Sequence, residues 1–539
     1  MLLAVAGLLA AGCGGSSKHV TTARTSPPPP PAHVTQVKRV SPISIFEAPL
    51  QLVTAPGPTL DLLHQLGVGY VRVFVRWSSI APSPTAAAAP SGFDASSPAS
   101  YSAAGWASYD AIVRDATSRG IGVILGISGP APQWATGPGV ASGGAGAPGS
   151  WKPSASEFGA FAHAVAARYS GRYTPPGGSS PLPRVHFWSI WNEPNLGVNL
   201  APQAIDNSTV ESSPALYRGL VDAGWSALHQ TGHGGDTILI GELAPYGQTV
   251  GHNVPGNYGY MVPLRFVRAL YCVDSSWHPL QGSAAAARGC PTTTAGSKQF
   301  ASAHPGLFQA SGYAVHPYPQ GSLAPNVVLP NGPDYANLAA LSKLERLLDS
   351  VTSAYGAAKQ FPLYSTEYGY FTNPPLQGSP APPLAAAYLN WAEYISWLNP
   401  RIRSWDQYLL VDPPSGGPSS FVTGLEFANG VEKPSYVAYR MPIYLPLTKA
   451  ATGQGLELWG CVRPAHYVQL ATHAPQRVEI ELQPSAGGAF KLLKTVEITD
   501  PHGYFDTKLQ FPSSGIVRLA WSYPQGPTIY SRLVPITVA

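Results

Sequence analysis

At 539 residues the chain exceeds one ordinary domain, so two domains is the working count. Lys and Arg number 32 against 28 acidic residues, a net charge of +4 with no basic block and no basic helix face, which excludes the electrostatic footprint of a nucleic-acid binder. Charged residues make up only 11% of the chain, while 13 Trp and 27 Tyr supply flat amphipathic faces on which sugar rings stack, so a neutral carbohydrate partner is expected.

Residues 1–13 form an apolar run too short to span a bilayer, closed by small residues before Cys13. The pattern resembles a bacterial lipoprotein signal peptide, although the usual positive n-region is absent. That resemblance implies export to the cell envelope or medium, lipidation of Cys13, and membrane contact only through this anchor. Residues 14–42 are rich in Pro, Ser and Thr and include the run Pro27 to Pro31, which favours extended polyproline geometry and reads as a linker.

From Ile43 short β-like runs alternate with helical ones, the pattern of parallel βα units. Eight strands are predicted: Ile43 to Ala48, Tyr70 to Val75, Gly122 to Ile127, Val185 to Trp191, Thr237 to Glu242, Gly312 to His316, Phe361 to Glu367 and Ser404 to Val411. Between them, Ser154 to Tyr169 reads as a helix with a capping-box spacing at Ser154 and Glu157. Its Phe158, Phe161, Ala162, Val165 and Tyr169 recur at helical intervals and are assigned to the core. Pro82 to Ser108, Gly129 to Pro153, Gly251 to Ser311 and Asp412 to Ser420 are Gly-, Pro-, Ser- and Ala-rich and read as loops. After Tyr444 the helical period stops, and Leu456 to Val538 holds about seven short strand candidates. The expected architecture is α/β: a (β/α)₈ TIM barrel over residues 43–449, then a small β-sandwich over 450–539 that buttresses it or binds glycan, the structural role being preferred.

Two of the predicted strands end in glutamate. Trp191-Asn192-Glu193-Pro194-Asn195 closes the fourth, and Ser365-Thr366-Glu367-Tyr368-Gly369 closes the seventh. Cleaving an acetal at neutral pH requires one carboxyl that stays protonated for the leaving oxygen and one carboxylate that attacks the anomeric carbon. Strict alternation would send Asn192 and Glu193 to opposite sides, so both reach one pocket only if the strand ends there, and Pro194 favours that ending. Glu242, at the tip of the fifth strand, is a nearby decoy.

In these two motifs the chain resembles the retaining (β/α)₈ glycosidases of glycoside hydrolase clan A, with the cellulase-like family 5 and the xylosidase-like family 39 as nearest types. The resemblance spans about 400 residues and implies that Glu193 is the acid/base, Glu367 the nucleophile, and Asn192 a hydrogen-bond partner of the sugar 2-hydroxyl. Val71-Arg72-Val73-Phe74-Val75-Arg76-Trp77 is similar to the clan's second strand, which puts Arg72 beside the nucleophile. His316-Pro317-Tyr318 is similar to its sixth-strand motif, which brings His316 and Tyr318 to the nucleophile or sugar. Two departures stand out. The third strand ends Gly126-Ile127-Ser128-Gly129-Pro130 without the His that many cellulase-like members carry, and Ser404-Trp405-Asp406-Gln407-Tyr408 presents no obvious Trp at its end. Trp134 and Trp405 are the candidates for ring stacking.

No HExxH-type spacing, zinc-ligand pair, phosphate-cradling glycine loop or nucleophile elbow occurs, so neither metal nor cofactor is expected. Cys272 and Cys290 bracket a small-residue loop and are expected to form a disulfide, with Cys461 an apolar-strand thiol. The expected activity is that of a retaining O-glycoside hydrolase acting on β-linked glycans or oligosaccharides as a monomer, its carboxyl groups about 5–5.5 Å apart. Alternatives are a catalytically silent carbohydrate-binding lipoprotein and a transglycosylase.

Overall fold

Eight parallel strands close in chain order into a barrel: β1 (Ile43–Glu47), β2 (Tyr70–Arg76), β3 (Gly122–Ser128), β4 (Phe187–Ile190), β5 (Thr237–Leu243), β6 (Gly312–Val315), β7 (Leu363–Ser365) and β8 (Ile402–Tyr408). The computed structural model describes residues 40–539 except 141–147, 205–207, 249–255, 331, 415–420, 486 and 525. The predicted signal segment, Cys13 and nearly all of the linker lie outside the described residues. All eight predicted strands are present. β4, β6 and β7 stop before the motif residues, which places Glu193, His316 and Glu367 on the chain just beyond the strand ends.

The side-chain period of two turns this barrel into layers. Ile45, Tyr70, Ile124, Phe187, Leu239, Ala314 and Tyr364 point inward and pack on one another as an apolar plug. Two residues further along the same strands come Glu47, Arg72, Gly126, Ser189, His316 and Thr366, so a polar layer rests on the apolar one. Gly126 is required there: a Cβ would sit 2.4 Å from the Phe74 ring, which fills the space above it.

β5 breaks the alternation. Its register against β6 shifts between Ile240 and Leu243, with Gly241 at φ 103° and Glu242 at φ 49°. Gly241 supplies the left-handed backbone, and the bulge turns Glu242 inward where strict alternation would send it out.

Around the barrel, the helix Ala155–Arg168 begins at Ser154, whose hydroxyl accepts from the Glu157 N–H. Phe158, Phe161, Ala162 and Val165 are fully buried, and Phe161 stacks on Trp77 at 5.5 Å. The segment 251–311 differs from the loop expected of it. It contains the helices Pro263–Leu270, Gly282–Ala286, Thr294–Ala303 and Pro305–Gln309, and it buries Phe266, Val267, Leu270 and Phe300. Apolar residues spaced within a Gly- and Ala-rich background supply its own core, and a disulfide joins Cys272 to Cys290 across it.

Beyond the barrel lie β9 (Ile443–Tyr444), β10 (Lys449–Ala450), β11 (Gly455–Cys461), β12 (Gln476–Pro484), β13 (Lys491–Ile498), β14 (Tyr504–Gln510), β15 (Gly515–Ser522), β16 (Thr528–Tyr530) and β17 (Val534–Val538). A three-stranded sheet, β14-β11-β9, and a six-stranded sheet built on β10-β17-β15-β12-β13, with β16 on β15, share one core. Leu456, Leu458 and Phe505 from the first meet Val478, Ile480, Leu519 and Trp521 from the second. One helix, Ala465–Thr472, interrupts what the sequence read as strands only. It buries Ala465 alone, so it carries no apolar stripe to betray it.

The sandwich meets the barrel through an aromatic cluster, in which Tyr394 and Trp397 pack on Trp459, and through a buried ion pair. Arg463 donates to both Glu393 oxygens at 2.7 and 2.9 Å, and Tyr504 donates to the same carboxylate at 2.7 Å, with both ionic side chains almost wholly buried. Removing one partner of a buried pair leaves the other charge without compensation, at a cost of about 3–5 kcal/mol. Glu393→Gln is therefore expected to lower the unfolding free energy by about 3 kcal/mol in urea titration. A loss under about 1 kcal/mol would show that the pair does not hold the two parts together.

Candidate active site

The groups that meet above the polar layer are delivered by chain that has just left its strand. After Ile190 the backbone turns left-handed at Trp191 (φ 71°) and again at Glu193 (φ 40°), conformations that cost roughly 1–3 kcal/mol each in a non-glycine residue. The break falls at Trp191, ahead of Pro194. Trp191 is locked by burial against Phe158 at 5.4 Å, and its N–H donates to the Ile127 carbonyl at 2.9 Å. The Glu193 N–H donates to the Glu242 carbonyl at 3.0 Å, and the Asn195 amide clamps the following turn to Ala244 and Met261. This turn places Asn192 and Glu193 on one side, which period-two geometry forbids.

Glu193 and Glu367 face each other across His316. The His316 Nδ1 lies 2.9 Å from Glu193 Oε1 and 3.5 Å from Glu367 Oε2, while Nε2 lies 3.0 Å from Glu242 Oε2. One atom from each of Glu193, His316 and Glu367 falls within 4.8 Å of the other two. Arg72 donates from Nη1 to Glu367 Oε1 at 3.0 Å and to Glu47, and from Nη2 to Glu242 Oε2 at 2.9 Å and Asn192 Oδ1 at 3.3 Å. Tyr318 donates its hydroxyl to Glu367 Oε2 at 3.3 Å. Above them opens a cavity of about 450 Å³ whose walls include Phe74, Tyr109, Tyr408 and Phe421.

Five acids share this region with two cations, and burial sorts them. Desolvation raises the Glu193 carboxyl against the opposing pull of His316. It pushes Glu47 up to about 8 despite Arg72, and holds Asp406 well above the usual range, with Glu47 adding to the effect. Glu242 goes the other way. Burial alone would raise it, but Arg72, His316 and the Ser189 hydroxyl outweigh that and bring it down to about 2. For His316 burial disfavours the cation, yet Glu367, Glu193 and Glu242 together push it up to about 10. His316 Nδ1 engages Glu193 through Oε1, and Glu193 lines the cavity.

Arg72, Asn192, Glu193, His316, Tyr318 and Glu367, picked from the sequence, thus stand together. The two tryptophans do not join them. Asp406 points inward on β8, so its neighbour Trp405 points outward, fully buried against Tyr368 at 4.6 Å. Trp134 packs edge-on against Trp77 and Phe93 in the rim, its indole N–H held by the Pro82 carbonyl at 3.1 Å. The cavity's aromatic walls come instead from Phe74, Tyr109, Tyr408 and Phe421. Sequence reading also missed Glu47, Asp406, Ser189 and Thr366. Glu47 closes β1 as Glu367 follows β7, a signal that was available. Glu242, read as a decoy, accepts from Arg72, Ser189 and Thr366 beneath the pair.

Glu193, His316 and Glu367 form a cluster compact enough to be tested as a metal site. Arg72 lies at 3.0 Å from Glu367 and contributes a permanent positive charge, which opposes a second cation there.

No protein-family model matches the sequence, and no curated protein matches it. Among solved structures, the chain is similar to an endo-beta-1,4-mannanase from Thermotoga petrophila at 10% identity, with 94% of this chain and 99% of that chain covered and a TM-score of 0.37. A glucosidase from Croceicoccus marinus gives 11% identity, 88% and 93% coverage and a TM-score of 0.45. A GH30 endoxylanase from Clostridium papyrosolvens gives 8%, 89% and 96%, and 0.44. Likeness at this level leaves the chemistry to the side chains of the site.

The raised imidazole has a consequence for stability. A histidine whose folded value lies near 10 against an unfolded 6.5 contributes stability that is full below pH 6.5 and is lost as the pH rises through 10. The stability difference between the wild type and His316→Gln is expected to be largest below pH 6.5 and to shrink steadily towards pH 10 in thermal unfolding. A difference independent of pH over that window would mean that His316 is not the cation of the cluster.

Proposed function

We propose that this protein is a retaining O-glycoside hydrolase that cleaves β-linked glycans or oligosaccharides by double displacement. The observation that carries this reading is the approach of two carboxyl groups from different strand tips, with nearest oxygens within 4.8 Å. Double displacement needs carboxyl groups about 5–5.5 Å apart, whereas direct attack by water needs about 6.5–9.5 Å.

In the first step Glu367 attacks the anomeric carbon while Glu193 passes its proton to the departing glycosidic oxygen. The carbon–oxygen bond to the leaving group breaks and an ester to Glu367 forms. In the second step Glu193, now a carboxylate, takes a proton from water, whose oxygen attacks the anomeric carbon as the ester bond breaks. The raised Glu193 suits the acid role, and Arg72 and Tyr318 orient the attacking carboxylate. The amide nitrogen of Asn192 is left to donate to the sugar, since its oxygen accepts from Arg72. A barrel that only bound carbohydrate would have no use for a paired acid and nucleophile. A transglycosylase would share the first step and replace water with a sugar hydroxyl.

A fluorinated glycoside with a good leaving group should form an adduct on the peptide carrying Glu367, seen by mass spectrometry, and the first product should keep its anomeric configuration by NMR. An adduct elsewhere, or an inverted product, would overturn the assignment. Glu193→Gln should lower kcat about 10²–10⁴-fold on substrates with poor leaving groups and far less on an aryl glycoside whose leaving group departs unprotonated.

We also place the activity outside the cytoplasm, as a cell-envelope lipoprotein or secreted enzyme. The lipoprotein-like N-terminus and the Cys272–Cys290 disulfide support this, since such bonds persist in oxidising compartments. Metabolic labelling with a fatty acid should mark the wild type and leave Cys13→Ser unmarked; equal labelling of both would remove Cys13 as the anchor.

A further inference from the structure

Strand β2 directs Tyr70, Arg72, Phe74 and Arg76 to the barrel interior by its period of two. Tyr70 belongs to the apolar plug, Arg72 to the polar layer, and the half-buried Phe74 carries the Arg72 guanidinium 4.2 Å from its ring centre. Arg76 is the last of the series, four residues and roughly 13 Å of strand beyond Arg72. It lines the same cavity as Glu193 and Glu367, near its mouth.

The two arginines have opposite surroundings. Arg72 is enclosed and contacts the carboxyl groups of Glu47, Glu242 and Glu367. Arg76 is exposed, and its guanidinium makes no ion pair with any described carboxylate. Its backbone N–H donates to the Tyr109 hydroxyl at 3.3 Å, which ties the base of the residue to the cavity wall and leaves the five guanidinium N–H groups for a ligand. Asn199, Tyr408 and Phe421 line the same cavity. In a chain with only 11% charged residues, a permanent cation is thus held open at the mouth of a pocket whose floor is acidic. An anion on the reacting sugar would face Glu193 and Glu367, whereas an anion further out would face Arg76.

We propose that Arg76 forms a subsite for an anionic substituent, a carboxylate or sulfate, carried by a saccharide unit beyond the one being cleaved, so that the substrate class is an acidic β-linked glycan. The proposal rests on the glycosidase reading for the identity of the ligand as a saccharide. A planar guanidinium matches carboxylate and sulfate oxygens in pairs, which distinguishes it from a lysine at the same place.

The test compares three oligosaccharides of equal length: a cello-oligosaccharide, its uronate form with each primary hydroxyl oxidised to a carboxylate, and its form sulfated at those hydroxyls. A charge is then present whichever unit lies beside Arg76. Binding is measured by titration calorimetry on full-length Glu193→Gln, which suppresses turnover and whose fold is checked by its unfolding curve. At least one charged form should bind about tenfold tighter than the neutral one, with the preference weakening as salt is added. Which charged form wins separates carboxylate from sulfate. Adding Arg76→Gln should abolish the preference, and Arg76→Lys should restore part of it. Charged forms that bind no tighter than the neutral one, or a preference that survives Arg76→Gln, would overturn the proposal. If Glu193→Gln fails to fold, wild-type cleavage rates on the same three compounds carry the comparison. Charge-selective binding with no cleavage by the wild type would sink the glycosidase reading and leave the Arg76 subsite standing. Cleavage without charge preference would do the reverse.

Discussion

Arg72 is fully buried at the centre of a barrel that also draws in Glu47, Glu242, Glu367, Asp406 and Glu193, and the arrangement of the upper barrel follows from how that charge is matched. A guanidinium cannot give up its proton here, so its surroundings must adapt. It is answered from β1 by Glu47, from β5 by Glu242 and from the end of β7 by Glu367. His316 adds a second positive charge between Glu193 and Glu242. Two cations among five carboxyl groups leave an acid surplus, and burial resolves it by favouring the neutral forms of Glu47, Asp406 and Glu193. The raised Glu193 carboxyl that the proposed mechanism uses follows first from burial, with Glu367 adding to it and His316 and Arg72 opposing it.

The apolar plug below makes this crowding possible. Ile45, Ile124, Phe187, Leu239 and Ala314 pack together beneath the charges, and the cavity lies on the other side of the cluster. Irregular backbone then brings the groups together. The left-handed residues Trp191, Glu193 and Glu242 lie at the ends of two adjacent strands, and the Glu193 N–H to Glu242 carbonyl bond joins them. Each such residue is costly alone. Packing of Trp191 on Phe158 and the three hydrogen bonds of the Asn195 side chain hold the turn in place.

Division of labour is visible along β2. One strand contributes to the plug with Tyr70, to the charge centre with Arg72 and to the cavity wall with Phe74, and it ends in Arg76, a cation with no ion pair among the described residues. The sandwich takes no part in that series. It meets the barrel through the buried Glu393–Arg463 pair and the aromatic cluster around Trp459, on residues that lie outside the cavity walls.

Sequence alone determined the barrel and most of the centre, because both depend on local pattern. Eight apolar runs at βα spacing can close in few ways, and Glu193 and Glu367 sit in motifs that mark strand ends. Arg72, His316 and Tyr318 were reached through the resemblance of their strand motifs. The helix Ala465–Thr472 was not, since a helix with one buried residue leaves no periodic trace. Trp405 misled because whether a strand residue faces the axis or the helices depends on a register that composition does not reveal, and a shift of one residue reverses it. Glu242 was undervalued because its inward turn needs the bulge at Gly241, which exists only through pairing with β6. The upward shifts of Glu47, Glu193 and Asp406 were beyond reach of the sequence altogether. They come first from burial and then from the charges that lie within a few ångströms, and only the closed barrel sets both.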